Sequence, residues 1–363
     1  MLSPKNTRRL LQILPFGIIS ALFSLAYVLI ERGILGDAPT YPSTGNPYNS
    51  NWLLSVLVAF GMGSLIGLIE VAYLRRWYQN SSLLKKVAYK TFTYVVLILL
   101  FTIITSTISH AVELGVRPWD PLVGTYVFNF MSDFAFWSIV IYIAMGMGIS
   151  LFYTEVSDNI GQGVLINFLT GKYHRAIEEE RIFMFLDMKA STTIAERLGH
   201  VRYFSMLKQY YADLSDPIIQ YGGQIYQYVG DEIVVTWRHQ KGVRGNNCLD
   251  CFTAMKAALR SREAQYRSAF GLAPTFKAGI HLGRVTSGEI GVVKREIIFS
   301  GDVLNTTARI QGLCNQYKVD LLVSEQLTDT LVLPPDWEGH SLGEVSLRGR
   351  NEKIKLYTIR PVG

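Results

Sequence analysis

Four apolar runs near the N-terminus constrain this chain more than any other feature of it. They fall at about residues 10–30, 52–74, 91–112 and 130–152. Each reaches the roughly 20 residues that a helix needs to cross the hydrocarbon core of a bilayer. A backbone in hydrocarbon must satisfy its own polar groups, so runs of this length are expected as helices. The first run is longer than a signal-peptide core, and it ends in Glu31-Arg32 rather than at a small-residue cleavage site. The expectation is a multi-pass α-helical membrane domain of four spans, residues 1–152.

Charges in the connecting segments orient those spans. Lys5, Arg8 and Arg9 precede the first, and Arg75, Arg76, Lys85, Lys86 and Lys90 lie between the second and third. The other two connections carry only Arg32 and Arg117. Lysine and arginine favour the cytoplasmic side, so both termini are expected in the cytosol and the chain in the plasma (inner) membrane. Four spans also require termini on one side. The net charge of +6 does not argue for nucleic acid, because five cations are concentrated in one connection beside a membrane. Anionic lipid headgroups are the expected partner there.

The spans hold a few groups that a bilayer tolerates poorly. Glu70, His110 and Asp133 lie in or near them, and each is either functional or close enough to a helix end for its polar tip to reach water. Gly63-x-x-x-Gly67 lets two helices approach closely, and with Gly146 and Gly148 it is expected to help dimerise the anchor.

The chain is 49% hydrophobic with mean hydropathy +0.20, an average that conceals a soluble second half. Residues 153–181 read as a linker, Gly-interrupted at first and then charged and helix-prone over 174–181. Beyond it the elements alternate. Strands are expected at 182–186, 224–229, 232–237, 275–282, 296–300, 319–323 and 353–359, and helices at 192–211, 248–267 and 302–314. Gly230-Asp231 forms a two-residue hairpin turn, and 283–291 reads as a Gly-rich loop. Such alternation predicts an α/β sandwich at 182–363. Cys248-x-x-Cys251 has no second pair to complete a metal site and falls on a helix, so both are expected as packing thiols.

Asp187 ends an apolar strand and Asp231 sits at a hairpin tip. Carboxylates on neighbouring strand ends can hold divalent ions, and Mg²⁺ takes one or two carboxylates together with substrate phosphates. Asn305 and Arg309 are four apart on a helix and share a face. An amide there can hold a ribose, and a guanidinium offers a donor fork to phosphate. Glycines 283, 288 and 291 would let backbone N–H groups approach phosphate. Each feature alone is as well explained by turns and solvated faces.

Their order along the chain is more informative than any one of them. Phe185-Leu-Asp187-Met188, Gly230-Asp231-Glu232, Gly279-Ile-His-Leu-Gly283-Arg284 and Gly301-Asp-Val-Leu-Asn305-Thr-Thr-Ala-Arg309 follow one another. This resembles the class III adenylate and guanylate cyclase catalytic domain, over about residues 180–360. The resemblance implies a mixed sheet flanked by helices on a ferredoxin-like core. It implies two Mg²⁺ or Mn²⁺ ions per site, bound by Asp187, Asp231 and the backbone of Met188. Asn305 would orient the ribose and Arg309 would stabilise the transition state. Arg284 and, more loosely, Arg348 would bind phosphate. Gln227 and Ile298 fall at the base-reading positions, where neither residue type selects a purine.

The same resemblance implies cyclisation of a nucleoside triphosphate at sites shared between two catalytic domains, hence a homodimer. ATP is the expected substrate, with GTP or a pyrimidine triphosphate open. A sensor with a degenerate cyclase domain is the main alternative, and all four of Asp187, Asp231, Asn305 and Arg309 are present against it. A transporter with a regulatory tail lacks an internal repeat to support it.

Overall fold

The computed structural model describes residues 4–36, 51–74, 78, 81–293, 295–335, 337–347 and 353–361. The chain divides into two compact units, residues 7–166 and residues 1–6 with 167–363.

The N-terminal helices are α1 (Pro4–Leu35), α2 (Trp52–Ala72), α3 (Leu83–Leu114), α4 (Pro121–Ser132) and α5 (Phe134–Ile160). Among the described residues, four of these helices are long and apolar enough to cross a membrane, α4 being the exception. The expected fourth span was to begin at residue 130. Phe130 instead belongs to α4, and the chain turns at Asp133, whose backbone is extended (φ −70°, ψ 136°). Lys85, Lys86 and Lys90 lie on α3 rather than in a loop, and Arg75 and Arg76 fall outside the described residues.

The Gly63-x-x-x-Gly67 face is occupied within the chain. A Cβ added at Gly63 would lie 2.6 Å from the Phe16 carbonyl oxygen, and one at Gly67 would lie 3.0 Å from Phe16 Cβ. Gly146 likewise faces Phe23, at 3.1 Å. These glycines seat α2 and α5 against α1, which corrects the expectation that they pair two chains. Small residues permit close helix approach wherever the partner helix comes from.

Glu70 is buried (2% exposed), so it does not reach for water at a helix end. It pairs with Lys90, and its other oxygen accepts from Tyr94 Oη at 2.8 Å. Lys90 also reaches Glu155 at 3.0 Å, and Glu155 receives Lys86 at 2.9 Å. Two carboxylates and two ammonium groups thus close a neutral network across α2, α3 and α5. His110 is half-buried, bonds the Ser106 carbonyl at 2.8 Å and stacks on Tyr126.

The chain continues with α6 (Gln162–Leu169), β1 (Ile177–Met188), α7 (Ser191–Leu198), α8 (His200–Gln220), β2 (Gln224–Val229) and β3 (Glu232–Arg238). Then come α9 (His239–Val243), α10 (Asn247–Ser261), α11 (Glu263–Phe270), β4 (Phe276–Ile290), β5 (Glu296–Ser300) and α12 (Asp302–Gly312). The last elements are α13 (Cys314–Tyr317), β6 (Leu321–Ser324), α14 (Glu325–Thr328), β7 (Trp337–Ser346) and β8 (Lys353–Pro361). Among the described residues the eight strands form one sheet in the order β2-β3-β1-β4-β6-β8-β7, with β5 on β4. The β4–β6 pair is parallel and the others are antiparallel.

Strand parity divides the core. Ile182, Met184, Leu186 and Met188 of β1 join α8 and α10 in one buried cluster. Phe183 and Phe185 join Val303 of α12 in another. Successive side chains on a strand point to opposite faces, so both faces of β1 are covered and Asp187 falls on the α12 face.

Three expectations change here. Residues 177–181, taken as part of a charged helix-prone linker, are strand, because β1 pairs with β4 from Ile177 onward. Of the stretch 283–291, expected as a loop, residues 283–290 are the outer half of β4, paired with β1 and β5, and only Gly291 lies beyond the strand. Its neighbour Gly279 serves packing, since a Cβ there would sit 2.5 Å from the Gln311 backbone nitrogen. The helix expected over 192–211 is broken at Gly199, which takes a positive φ of 72° between α7 and α8. Cys248 and Cys251 are buried in the α10 core, and burial pushes the Cys248 thiol up to about 12. Both thiols pack within that core, as expected.

Candidate active site

The site begins where β1 runs out of the sheet. Asp187 is paired with Lys277 of β4, and the chain then turns into α7 through Ala190, which adopts φ 53°. Alongside, the β2–β3 hairpin turns at Gly230 with φ 60°, a conformation glycine adopts at little cost. That turn puts Asp231 beside Asp187. The Asp231 carboxyl lies near the Ser191 hydroxyl and the Asp187 carboxyl. Its Oδ2 is buried with no hydrogen-bond partner among the described residues.

Burial holds the Asp231 carboxyl above the ordinary aspartate range, and the neighbouring Asp187 adds to this while Ser191 opposes it. Burial and the same two aspartates raise Glu232 as well. Tyr203, Tyr210 and Tyr211 of α8 frame the pair. Burial pushes the Tyr210 hydroxyl well up, with Asp187 and Asp231 contributing, and that hydroxyl also lacks a partner among the described residues. The Tyr211 hydroxyl donates to the Gly230 carbonyl and steadies the turn.

Asp187 is held differently. Its Oδ2 accepts from Gln311 Nε2 at 3.2 Å and faces Lys277 Nζ at 3.3 Å. Neither residue carries a signal in the sequence, because each lies far along the chain and only folding brings it to β1. Two carboxylates, an orphaned buried oxygen and a strand-end backbone make a donor set of oxygen atoms. That is the chemistry hard divalent cations prefer, so the residues fit Mg²⁺ or Mn²⁺.

Among the described residues, no hydrogen bond or ion pair joins the other residues singled out in the sequence to this pair. Asn305 is exposed and Arg309 half-buried on α12. Arg284 is exposed on β4. Gln227 is exposed on β2, next to a bulge at Tyr226, and Ile298 is half-buried on β5. Tyr226 and Phe299 tie those two strands together, with rings 4.9 Å apart. Arg348 lies outside the described residues. A cavity of about 440 Å³ beside the carboxylates is lined by Lys189, Lys277 and Lys318, and by none of the residues the sequence singles out.

Residues 176–361 match the family described as the adenylate and guanylate cyclase catalytic domain. The chain belongs to that family. A curated relative, "Adenylate cyclase 2" of Rhizobium meliloti, is 33% identical over 61% of this chain and 61% of its own length. "Adenylate cyclase" of Anabaena cylindrica is 25% identical over 49% of this chain and 36% of its own. The chain thus spans about three fifths or less of these relatives. Among solved structures, the adenylyl cyclase CyaB from P. aeruginosa aligns at a TM-score of 0.45 with 18% identity, over 51% of this chain and 96% of that one.

The raised Asp231 carboxyl gives a pH-dependent expectation. A carboxyl raised by folding adds stability that is full below its unfolded value, about 4, and is lost as pH rises through its folded value. The metal-free protein therefore carries this penalty at neutral pH. Thermal unfolding at pH 7 should show Mn²⁺ raising the midpoint relative to EDTA, and the increment should shrink toward pH 4. Asp231→Asn should raise the EDTA midpoint and abolish the Mn²⁺ increment. An equal Mn²⁺ increment in that variant would show that the ion binds elsewhere.

Proposed function

We propose that this protein is a membrane-anchored nucleotidyl cyclase that converts ATP to 3′,5′-cyclic AMP and pyrophosphate. The observation that carries this reading is the adjacent Asp187–Asp231 pair with its buried, unpartnered oxygen, in a domain that also presents Asn305 and Arg309 from one helix. The names of the curated relatives support ATP over GTP.

Asp187, Asp231 and the Met188 carbonyl would hold two divalent ions. Mg²⁺ or Mn²⁺ bound there would lower the pKa of the ribose 3′-hydroxyl and offset phosphate charge. Asn305 orients the ribose so that the 3′-oxygen lies in line with the α-phosphorus. Arg309 offers donors to the oxygens that gain charge as the new P–O bond forms and the bond to pyrophosphate breaks. Arg284 and Arg348 hold the departing phosphates, and the hydroxyl proton passes to solvent. Asp187 and Arg309 belong to different halves of each site, so a head-to-tail homodimer contains two sites. Residues 1–152 anchor the chain in the plasma (inner) membrane with both termini cytosolic. Residues 161–176 connect the last helix of the anchor, α5, to the catalytic domain, whose sheet begins with β1 at Ile177, and the cyclic product acts as a second messenger.

The test is to incubate the purified full chain with each of the four nucleoside triphosphates and Mg²⁺ or Mn²⁺, and to identify products by mass spectrometry. Cyclic AMP and pyrophosphate are expected from ATP. Absence of any cyclic product from all four would favour a non-catalytic sensor. Base selection is expected at Gln227 and Ile298. Gln227→Lys should favour ATP and Gln227→Glu should favour GTP, each by roughly tenfold to a hundredfold in relative kcat/KM, the scale of a buried polar group left unpaired. Ile298→Thr adds a hydroxyl and should sharpen the choice. A preference that none of the three moves would place base reading elsewhere.

A further inference from the structure

We propose that Gln311 is a positioning residue for the metal-binding carboxylate of its own subunit, so that α12 serves two active sites at once. The second clause rests on the shared-site reading above, and the first rests on this chain's geometry alone. Helical residues advance about 100° each. Asn305 and Arg309, four apart, fall on one side of α12. Gln311, two beyond Arg309, falls about 200° away. The burial agrees, since Asn305 is exposed whereas Gln311 is 7% exposed and turned to the sheet.

On that inner side Gln311 Nε2 meets Asp187 Oδ2 at 3.2 Å. The contact is built into the backbone. Gly279 lies so close to the Gln311 nitrogen that a Cβ there would stand 2.5 Å away, and Gly279 is paired with Phe185, two residues before Asp187. The helix is therefore seated on the sheet at the level of the carboxylate.

Lys277 approaches the same oxygen at 3.3 Å. The two donors act differently once a divalent cation arrives. An ammonium is repelled by that cation, whereas a neutral amide is not. Gln311 is thus the donor able to stay on Oδ2 in the loaded site, fixing the rotation of the carboxylate and hence the direction of its other oxygen. Partners that hold metal ligands in this way typically change metal affinity by about 10–100-fold when removed.

The first experiment titrates Mn²⁺ into the purified full chain and follows free Mn²⁺ by electron paramagnetic resonance, with Asp187→Ala defining binding elsewhere. Gln311→Met keeps the volume and removes the donor, and it should weaken the Asp187-dependent site about 10–100-fold. Gln311→Asn keeps the amide but withdraws it by one methylene, and it should shift affinity the same way by less. An Asp187-dependent affinity within twofold of wild type in a folded Gln311 variant overturns the positioning role.

The second experiment uses mixed dimers of Asp187→Ala and Arg309→Ala chains. Gln311→Met added to the Arg309→Ala chain, which owns the working carboxylates, should raise the Mn²⁺ concentration needed for half-maximal activity. Added to the Asp187→Ala chain, it should leave that concentration in place. Equal effects on both chains would mean that Gln311 merely seats α12, and the proposal would fall. If the unmodified mixture is inactive, the shared-site reading fails while the binding result still decides the role of Gln311.

Discussion

Asp187→Ala and Arg309→Ala chains are each expected to lose about 10²–10³-fold or more in turnover, the scale of deleting one group that stabilises developing charge in a transition state. Co-expressed, they should recover activity, because one of the two sites in a mixed dimer then keeps both its carboxylates and its arginine. The recovery should approach a quarter of wild type when the chains mix at random, since about half the dimers are mixed and each has one of two sites intact. Neither variant should disturb folding. Asp187 lies at a strand end and Arg309 is half-buried on α12, and neither belongs to the apolar clusters of the core. The measurement is cyclic nucleotide formed by the random mixture and then, per dimer, by mixed dimers isolated through two affinity tags, which should reach about half of wild type. Isolated mixed dimers that remain as inactive as either parent would rule out a site shared between subunits.

The second large effect is expected in the membrane unit. Lys90 joins Glu70 and Glu155 inside the helix bundle, at 3% exposure. Lys90→Met removes that cation and leaves Glu70 with Tyr94 and Glu155 with Lys86. Stranding one member of a buried ion pair typically costs about 3–5 kcal/mol. The midpoint of detergent-solubilised unfolding should fall accordingly, and Glu70→Gln in the same chain should restore part of it by removing the stranded charge. Wild-type stability in Lys90→Met would mean that water reaches these carboxylates. The network also answers what Glu70 does in an apolar helix. Its charge is matched by a neighbouring helix, a fact that hydropathy along one helix does not contain.

Much of the candidate site is marked before folding because its chemistry is local. Asp187 is marked by the apolar strand that stops at it, Asp231 by the Gly230 turn, and Asn305 with Arg309 by a four-residue spacing on a helix. The signals that misled are those whose meaning depends on a partner. The glycines at 283 and 288 read as a loop because glycine disfavours strands, yet pairing with β1 and β5 keeps residues 283–290 extended. Residues 177–181 read as helix because glutamate and arginine favour one, yet Arg181 is buried. It bonds Thr236, Gln224 and Glu179 and lies over the Phe299 ring. Gly63 and Gly67 announced a close helix contact, and the sequence could not say that α1 of the same chain makes it.

Sequence by itself marked the four helices long and apolar enough to cross a membrane, the alternation of strands and helices, and Asp187 and Asp231 as a candidate acidic pair. Those properties follow from hydropathy, period and turn chemistry within a few residues of each other. Tertiary structure decided which groups hold Asp187, what neutralises Glu70, and that one face of α12 is turned inward while the other is presented outward. Each of these depends on atoms brought together from distant positions, as with Asp187 and Gln311, 124 residues apart. The free energy of such a contact comes from burial and geometry that exist only once the sheet and its covering helix have formed.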